Sequence, residues 1–140
     1  MVEGAAVFSL AIGFEATPTE PKWVFDTRDP ITLVNGVALK VNVDGTLTLL
    51  VQDAATTGTI TTPTPTSWVS GKITEVVAEW SSSLLRISVD GVTLIEDLAA
   101  TVPDMTGITA TSVQLGADSN VSGSLDSEFV RATFLKRPRR

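Results

Sequence analysis

The residues able to do chemistry are few. The 140-residue chain has no histidine, no cysteine and no tyrosine. That removes His-based triads, His-ligated zinc, thiol nucleophiles and disulfides together. Carboxylates remain as candidate acids and bases. Hydrolysis of a sugar bond needs two of them, ~5–5.5 Å apart for retention or ~6.5–9.5 Å for inversion. Glu75 and Glu79 share a strand face but are four residues apart, ~13 Å along an extended chain, which is too far. Asp126 and Glu128 are spaced i, i+2, or ~7 Å, which is geometrically suitable. Solvated charge on an outer face is the better account of them, and the sequence reads as a non-enzyme.

Oxygen donors for calcium are the next candidates. The ion takes six to eight oxygens, often from Asp, Asn and backbone carbonyls in loops. Asp118, Asn120 and Asp126, with Asp53 as a further donor, fit that chemistry. The stretch ADSNVSG is nevertheless no dense Asp-x-Asp run, and its residues are ordinary turn formers. Without calcium the chain needs no cofactor. For a sugar, the relevant residues are aromatic platforms with polar neighbours. Trp23, Trp68 and Trp80 are the three tryptophans. Trp80 is in phase with Val76 and Ala78 and reads as core. Trp68, following a Pro-Thr loop, is the best exposed candidate, and Trp23 reads as core or rim.

The elements that must position these residues are strands. Phe8, Leu10, Ile12 and Phe14 alternate with small residues, the period of a half-buried strand. No basic residue precedes this run and no small-x-small cleavage pattern follows it, so it reads as a strand and not as a signal peptide. Leu39, Val41 and Val43 lead into Asp44-Gly45, then Leu47, Leu49 and Val51. Leu85, Ile87 and Val89 lead into Asp90-Gly91. Asp-Gly between alternating runs predicts a hairpin with positive φ at both central residues. Asn35-Gly36 is a third candidate turn. Residues 72–80 and 129–135 also alternate, and helix is limited to a turn near Pro103-Asp104-Met105. The stretch 56–66 (TTGTITTPTPT) reads as a loop or a protected sheet edge, because its prolines cannot donate to a ladder. Many short strands with frequent turns predict a sandwich or barrel.

The net charge is −6. Four basic residues, Lys136, Arg137, Arg139 and Arg140, lie in the last five positions, so residues 1–135 carry −10. An acidic body repels nucleic acid and anionic membranes, and no stretch approaches the ~20 apolar residues of a spanning helix. We expect one domain, residues 1–135, and a basic partner-binding tail, residues 136–140.

The order of elements resembles a laminin-G-like, concanavalin-A-like jelly roll. FSLAIGF stands as the opening strand, then WVFDTRD, the hairpin VALKVNVDGTLTLLV, the run SWVSGKITEVVAEWSSSLLRISVDGVTL, SVQLG, and GSLDSEFVRATFL as the closing strand. The resemblance spans about Ala5 to Leu135. It implies an all-β, two-sheet antiparallel sandwich used for sugar binding, adhesion or, less often, glycoside hydrolysis. The acid-x-acid-x-acid run of hydrolases with this fold is broken, since Val130 stands where the third acid would be. Jelly rolls of this type serve as coat or adhesive modules on virus particles. The leading expectation is therefore a non-enzymatic phage virion component, a capsid decoration or fibre-type protein. Its partners would be other virion proteins or itself as a homo-oligomer, and its place the virion or the cytoplasm. The alternative is a glycan-binding, lectin-like module. For the virion reading, Val77, Leu84 and Leu50 are the apolar residues expected to face another copy of the chain or a capsid lattice.

Overall fold

The computed structural model describes residues 6–14, 17–69, 71–103, 114–115 and 127–136. They form ten strands: β1 (Ala6–Phe14), β2 (Lys22–Asp26), β3 (Gly36–Val41), β4 (Leu47–Gln52), β5 (Thr57–Thr61), β6 (Ile73–Trp80), β7 (Leu85–Val89), β8 (Val92–Asp97), β9 (Gln114–Leu115) and β10 (Ser127–Lys136). Among the described residues none is helical.

The strands make two five-stranded sheets, in the orders β10-β1-β6-β7-β8 and β5-β4-β3-β2-β9. Every pairing is antiparallel. Alternation along each strand sends one set of side chains between the sheets. Val37, Leu39 and Val41 of β3 and Leu47, Leu49 and Val51 of β4 meet Val76, Ala78 and Trp80 of β6 and Leu85 and Ile87 of β7 in one core. Burying each large aliphatic or aromatic side chain there contributes roughly 1.5–3 kcal/mol. Ile12, Val76, Trp80, Ile87 and Val89 are buried as the alternation predicts. The side chains of Phe8, Leu10, Phe14, Val130 and Phe134 lie outside the described residues.

Two Asp-Gly turns of like sequence fold differently. At β7–β8 both Asp90 (φ 50°) and Gly91 (φ 81°) are left-handed, the expected primed turn. At β3–β4 only Gly45 (φ 84°) is. The Gly45 N–H donates to the Asn42 carbonyl and the Asn42 N–H to that of Thr46, a three-residue loop closed by a glycine bulge. The Asp44 carboxylate accepts both the N–H and the hydroxyl of Thr46, at 2.9 and 2.6 Å. At Asn35-Gly36 the positive φ values fall on Asn35 and on Leu33, two residues before it, and not on Gly36.

The Thr-rich segment supplies β5, the outermost strand of its sheet, with Pro63 and Pro65 beyond its end. Val77, Leu84 and Leu50 are half-buried, not exposed. Among the described residues, the large apolar ones that do face solvent are Ile31, Val43, Val69, Ile73, Val92 and Leu98. β10 continues to Lys136, paired with Ala6, so the first residue assigned to the basic tail is strand. Arg137, Arg139 and Arg140 lie outside the described residues.

Candidate functional site

The outward face of the β2–β5 sheet gathers the polar side chains that the core excludes. Its first row across the strands is Trp23, Lys40, Thr48 and Thr61. The second is Asp26, Ala38, Leu50 and Thr59, and the third ends in Gln52 and Thr57. A bulge between Trp23 and Phe25 makes this arrangement possible. It turns both Val24 and Phe25 into the core and leaves Trp23 opposite Lys40 on the other side.

Trp23 is half-buried and flanked by cations. The Arg28 guanidinium carbon lies 4.5 Å from its ring centroid and the Lys40 ammonium 5.4 Å, both within cation–π range. Arg28 is held by a carboxylate two residues back. Its Nε donates to Asp26 Oδ1 and Oδ2 at 2.9 and 3.1 Å, and Nη2 donates to Oδ2 at 2.7 Å. Nη1 donates to Gln52 Oε1 on β4 at 3.1 Å. Asp26 is fully buried and Arg28 is 6% exposed. Lys40 is half-buried and has no carboxylate partner among the described residues.

Hydroxyls extend the face toward β5. Asn42 Nδ2 donates to Thr46 and Thr48 at 3.0 and 2.9 Å, and the Thr48 and Thr61 hydroxyls bond at 2.8 Å. Gln52 Nε2 donates to Thr57 at 3.2 Å. The exposed Thr57, Thr59 and Thr61 offer further donors and acceptors. At the near end of this face, the Thr46 hydroxyl and then its N–H hold the Asp44 carboxyl below its ordinary range.

The outward face of the other sheet is organised differently. Arg86 Nη1 donates to Glu79 at 2.8 Å, and the same guanidinium pairs with Glu96. Those two carboxylates, Glu79 first, raise the Arg86 pKa. Glu75 and Glu79 lie on one face of β6 with Val77 between them and form no catalytic pair. Asp126 lies outside the described residues, as does the Glu128 side chain.

The expected sugar platform at Trp68 is corrected. Trp68 is 4% exposed, and its indole Nε1 donates to the Gly45 carbonyl oxygen at 3.0 Å. The loop folds inward because a buried indole N–H needs a partner and the bulged hairpin presents one. Trp80 is core, with its ring centroid 6.4 Å from that of Phe25. Trp23 alone of the three is at the rim. For calcium, Asp118, Asn120 and Asp126 lie outside the described residues. Asp53 Oδ1 accepts the Ala55 and Thr56 N–H groups at 2.7 and 2.6 Å, so it is engaged in closing a turn. Among the described residues no three potential ligands cluster. Sequence reasoning missed Arg28, Asp26, Lys40 and Gln52. The one available signal was Arg28, a basic residue just past the Trp-bearing strand of an acidic body.

No protein-family model matches the chain, and no curated protein matches it by sequence. Solved structures do. The chain resembles the Ruminococcus gnavus IT-sialidase CBM40 with a TM-score of 0.70 and 11% identity, covering 97% of this chain and 78% of that one. It resembles sheep galectin-11, in complex with glycerol, with a TM-score of 0.56 and 12% identity, covering 96% and 92%. It resembles mouse laminin α1 domains LG4–5 with a TM-score of 0.57 and 19% identity, covering 94% of this chain but 32% of that one. The two-sheet architecture and these likenesses define a concanavalin-A-like jelly-roll sandwich. The solved neighbours of this fold include carbohydrate-binding and adhesion domains, some of them parts of sialidases.

Proposed function

We propose that this chain is a non-catalytic carbohydrate-binding module that takes its glycan on the outward face of the β2–β5 sheet. The observation that carries the reading is Trp23 at the rim of that face beside Lys40, a cation without a carboxylate partner among the described residues. An indole surface packs against the apolar C–H face of a sugar ring, and the surrounding hydroxyls and amides fix its orientation. The ammonium suits an acidic substituent on the glycan. The fold likeness to a sialidase CBM40, also solved bound to α2,3 sialyllactose, supports a search among acidic sugars. Titration with sialyllactose and with lactose tests the reading. Sialyllactose is expected to bind, and Trp23→Ala and Lys40→Ala each to weaken it by about 1–2 kcal/mol. Absence of binding to either sugar overturns it.

A virion component is the second reading. It is favoured by Ile31, which is 89% exposed at the β2–β3 loop, by Val92 on the β8 edge strand and by Leu98 just past its end, more apolar surface at tips and edges than folding requires. Light scattering with and without a host particle tests it. Stoichiometric association with the particle supports it, and a monomer that ignores the particle overturns it.

A further inference from the structure

Arg28 is the cation nearest the Trp23 ring, yet all three of its guanidinium nitrogens donate within the protein. Nε and Nη2 bind the two oxygens of Asp26, and Nη1 binds Gln52. A guanidinium in this fork geometry, almost wholly buried, has little left to offer a ligand. Its backbone is fixed as well. The Arg28 N–H donates to Asp26 Oδ1 at 2.9 Å, and the preceding Thr27 exchanges bonds with Val37 on β3. The loop lies so close to β3 that a Cβ on Gly36 would stand 2.6 Å from the Arg28 nitrogen. Arg28 thus ties the end of β2 to β4 across β3, with its guanidinium set over the Trp23 ring.

We propose that Arg28 is a positioning residue for Trp23. This rests on the reading of Trp23 as the glycan platform. The guanidinium closes part of the ring to ligand and holds the indole in one orientation, so the ring is set before the sugar arrives. A ring already ordered loses less side-chain freedom on binding. Of the two flanking cations, Arg28 shapes the platform and Lys40 meets the ligand. Lysine cannot replace arginine here, because an ammonium lacks the planar fork that joins Asp26, Gln52 and the ring at once.

The full chain labelled with 5-fluorotryptophan gives one fluorine resonance per tryptophan, and Trp23→Phe identifies that of Trp23. In Arg28→Lys, the Trp23 resonance is expected to broaden or split while those of Trp68 and Trp80 hold. Sialyllactose affinity is expected to fall about ten-fold. A fall in affinity with the Trp23 resonance unchanged would mean that Arg28 touches the ligand itself, and overturns the proposal. So does a disturbed resonance with unchanged affinity, or no change in either. If Arg28→Lys does not fold, Gln52→Met removes the Nη1 acceptor at similar volume, together with the exposed bond to Thr57, and the same outcomes apply to it. A wild-type chain that binds no sialyllactose refutes the glycan reading, while the fluorine spectrum still decides whether Arg28 orders Trp23.

Discussion

The indole N–H of Trp68 donates to the carbonyl oxygen of Gly45, 23 residues earlier in the chain, at 3.0 Å. The same oxygen accepts the Thr66 N–H at 3.0 Å. One carbonyl in a hairpin bulge therefore anchors the Pro-Thr segment. Trp68→Phe keeps an aromatic ring but removes the pyrrole ring with its N–H, so one of the two bonds and some packing are lost while the carbonyl stays satisfied. Denaturant unfolding should show a loss of about 1–3 kcal/mol, the bond and the lost packing together. Sugar binding should be unchanged, which separates Trp68 from Trp23.

The left-handed glycines Gly45 and Gly91 form a natural control pair. A Cβ at Gly91 meets nothing within 4 Å, whereas at Gly45 it meets the Thr66 carbonyl at 3.1 Å and Pro65 at 3.3 Å. Gly91→Ala should cost about 1–2 kcal/mol for backbone conformation alone. Gly45→Ala should cost about 1–3 kcal/mol more, because the Pro-Thr segment must move. Equal losses in paired urea melts would show that the segment yields freely.

On the other sheet, the ion-pair chain should lose stability unevenly. Glu79 is nearly buried and Glu96 is more exposed. Arg86→Ala strips the guanidinium from Glu79 and should cost about 1–3 kcal/mol. Glu96→Ala removes a solvent-screened partner and should cost about 0–1 kcal/mol. A double-mutant cycle measures both, and the Glu96 coupling should shrink with added salt.

Acid should loosen the loops before the core. The Asp29 carboxyl lies below its ordinary value of 3.8, held there first by the Thr32 N–H and then by that of Ile31. Asp44 is held low by Thr46. A depressed folded-state pKa contributes stability that is full above the unfolded value and is lost as pH falls through the folded one. Stability should thus hold near pH 6 and decline below about pH 4. Asp29→Asn should flatten part of that decline, read from melting temperatures between pH 2 and 6.

The alternation of Val76, Ala78 and Trp80, or of Ile87 and Val89, was readable because each strand keeps strict period two against a single core. β2 was not. Its bulge sends consecutive residues Val24 and Phe25 inward, and no local pattern in KWVFD marks that extra residue. Trp68 was misread because its hydrogen-bond partner lies in another hairpin, and the geometry of that hairpin departs from its Asp-Gly signature. Arg28 went unnoticed because its role depends on Gln52, 24 positions on. Short-range grammar reaches strands and turns; the candidate site is assembled across strands, where that grammar carries no information.

The pairing of β1 has a consequence for synthesis. Its neighbours are β6, which starts at Ile73, and β10, which ends at Lys136. When β1 leaves the ribosome, the strands that will flank it do not yet exist. At 5–20 residues per second, roughly 3–12 s pass before β6 begins to appear. Throughout that time an extended segment with both edges bare stands open to other chains. The hairpins β3–β4 and β7–β8 can close as they emerge, but β1 waits for β10, which begins at Ser127, before its second edge is covered.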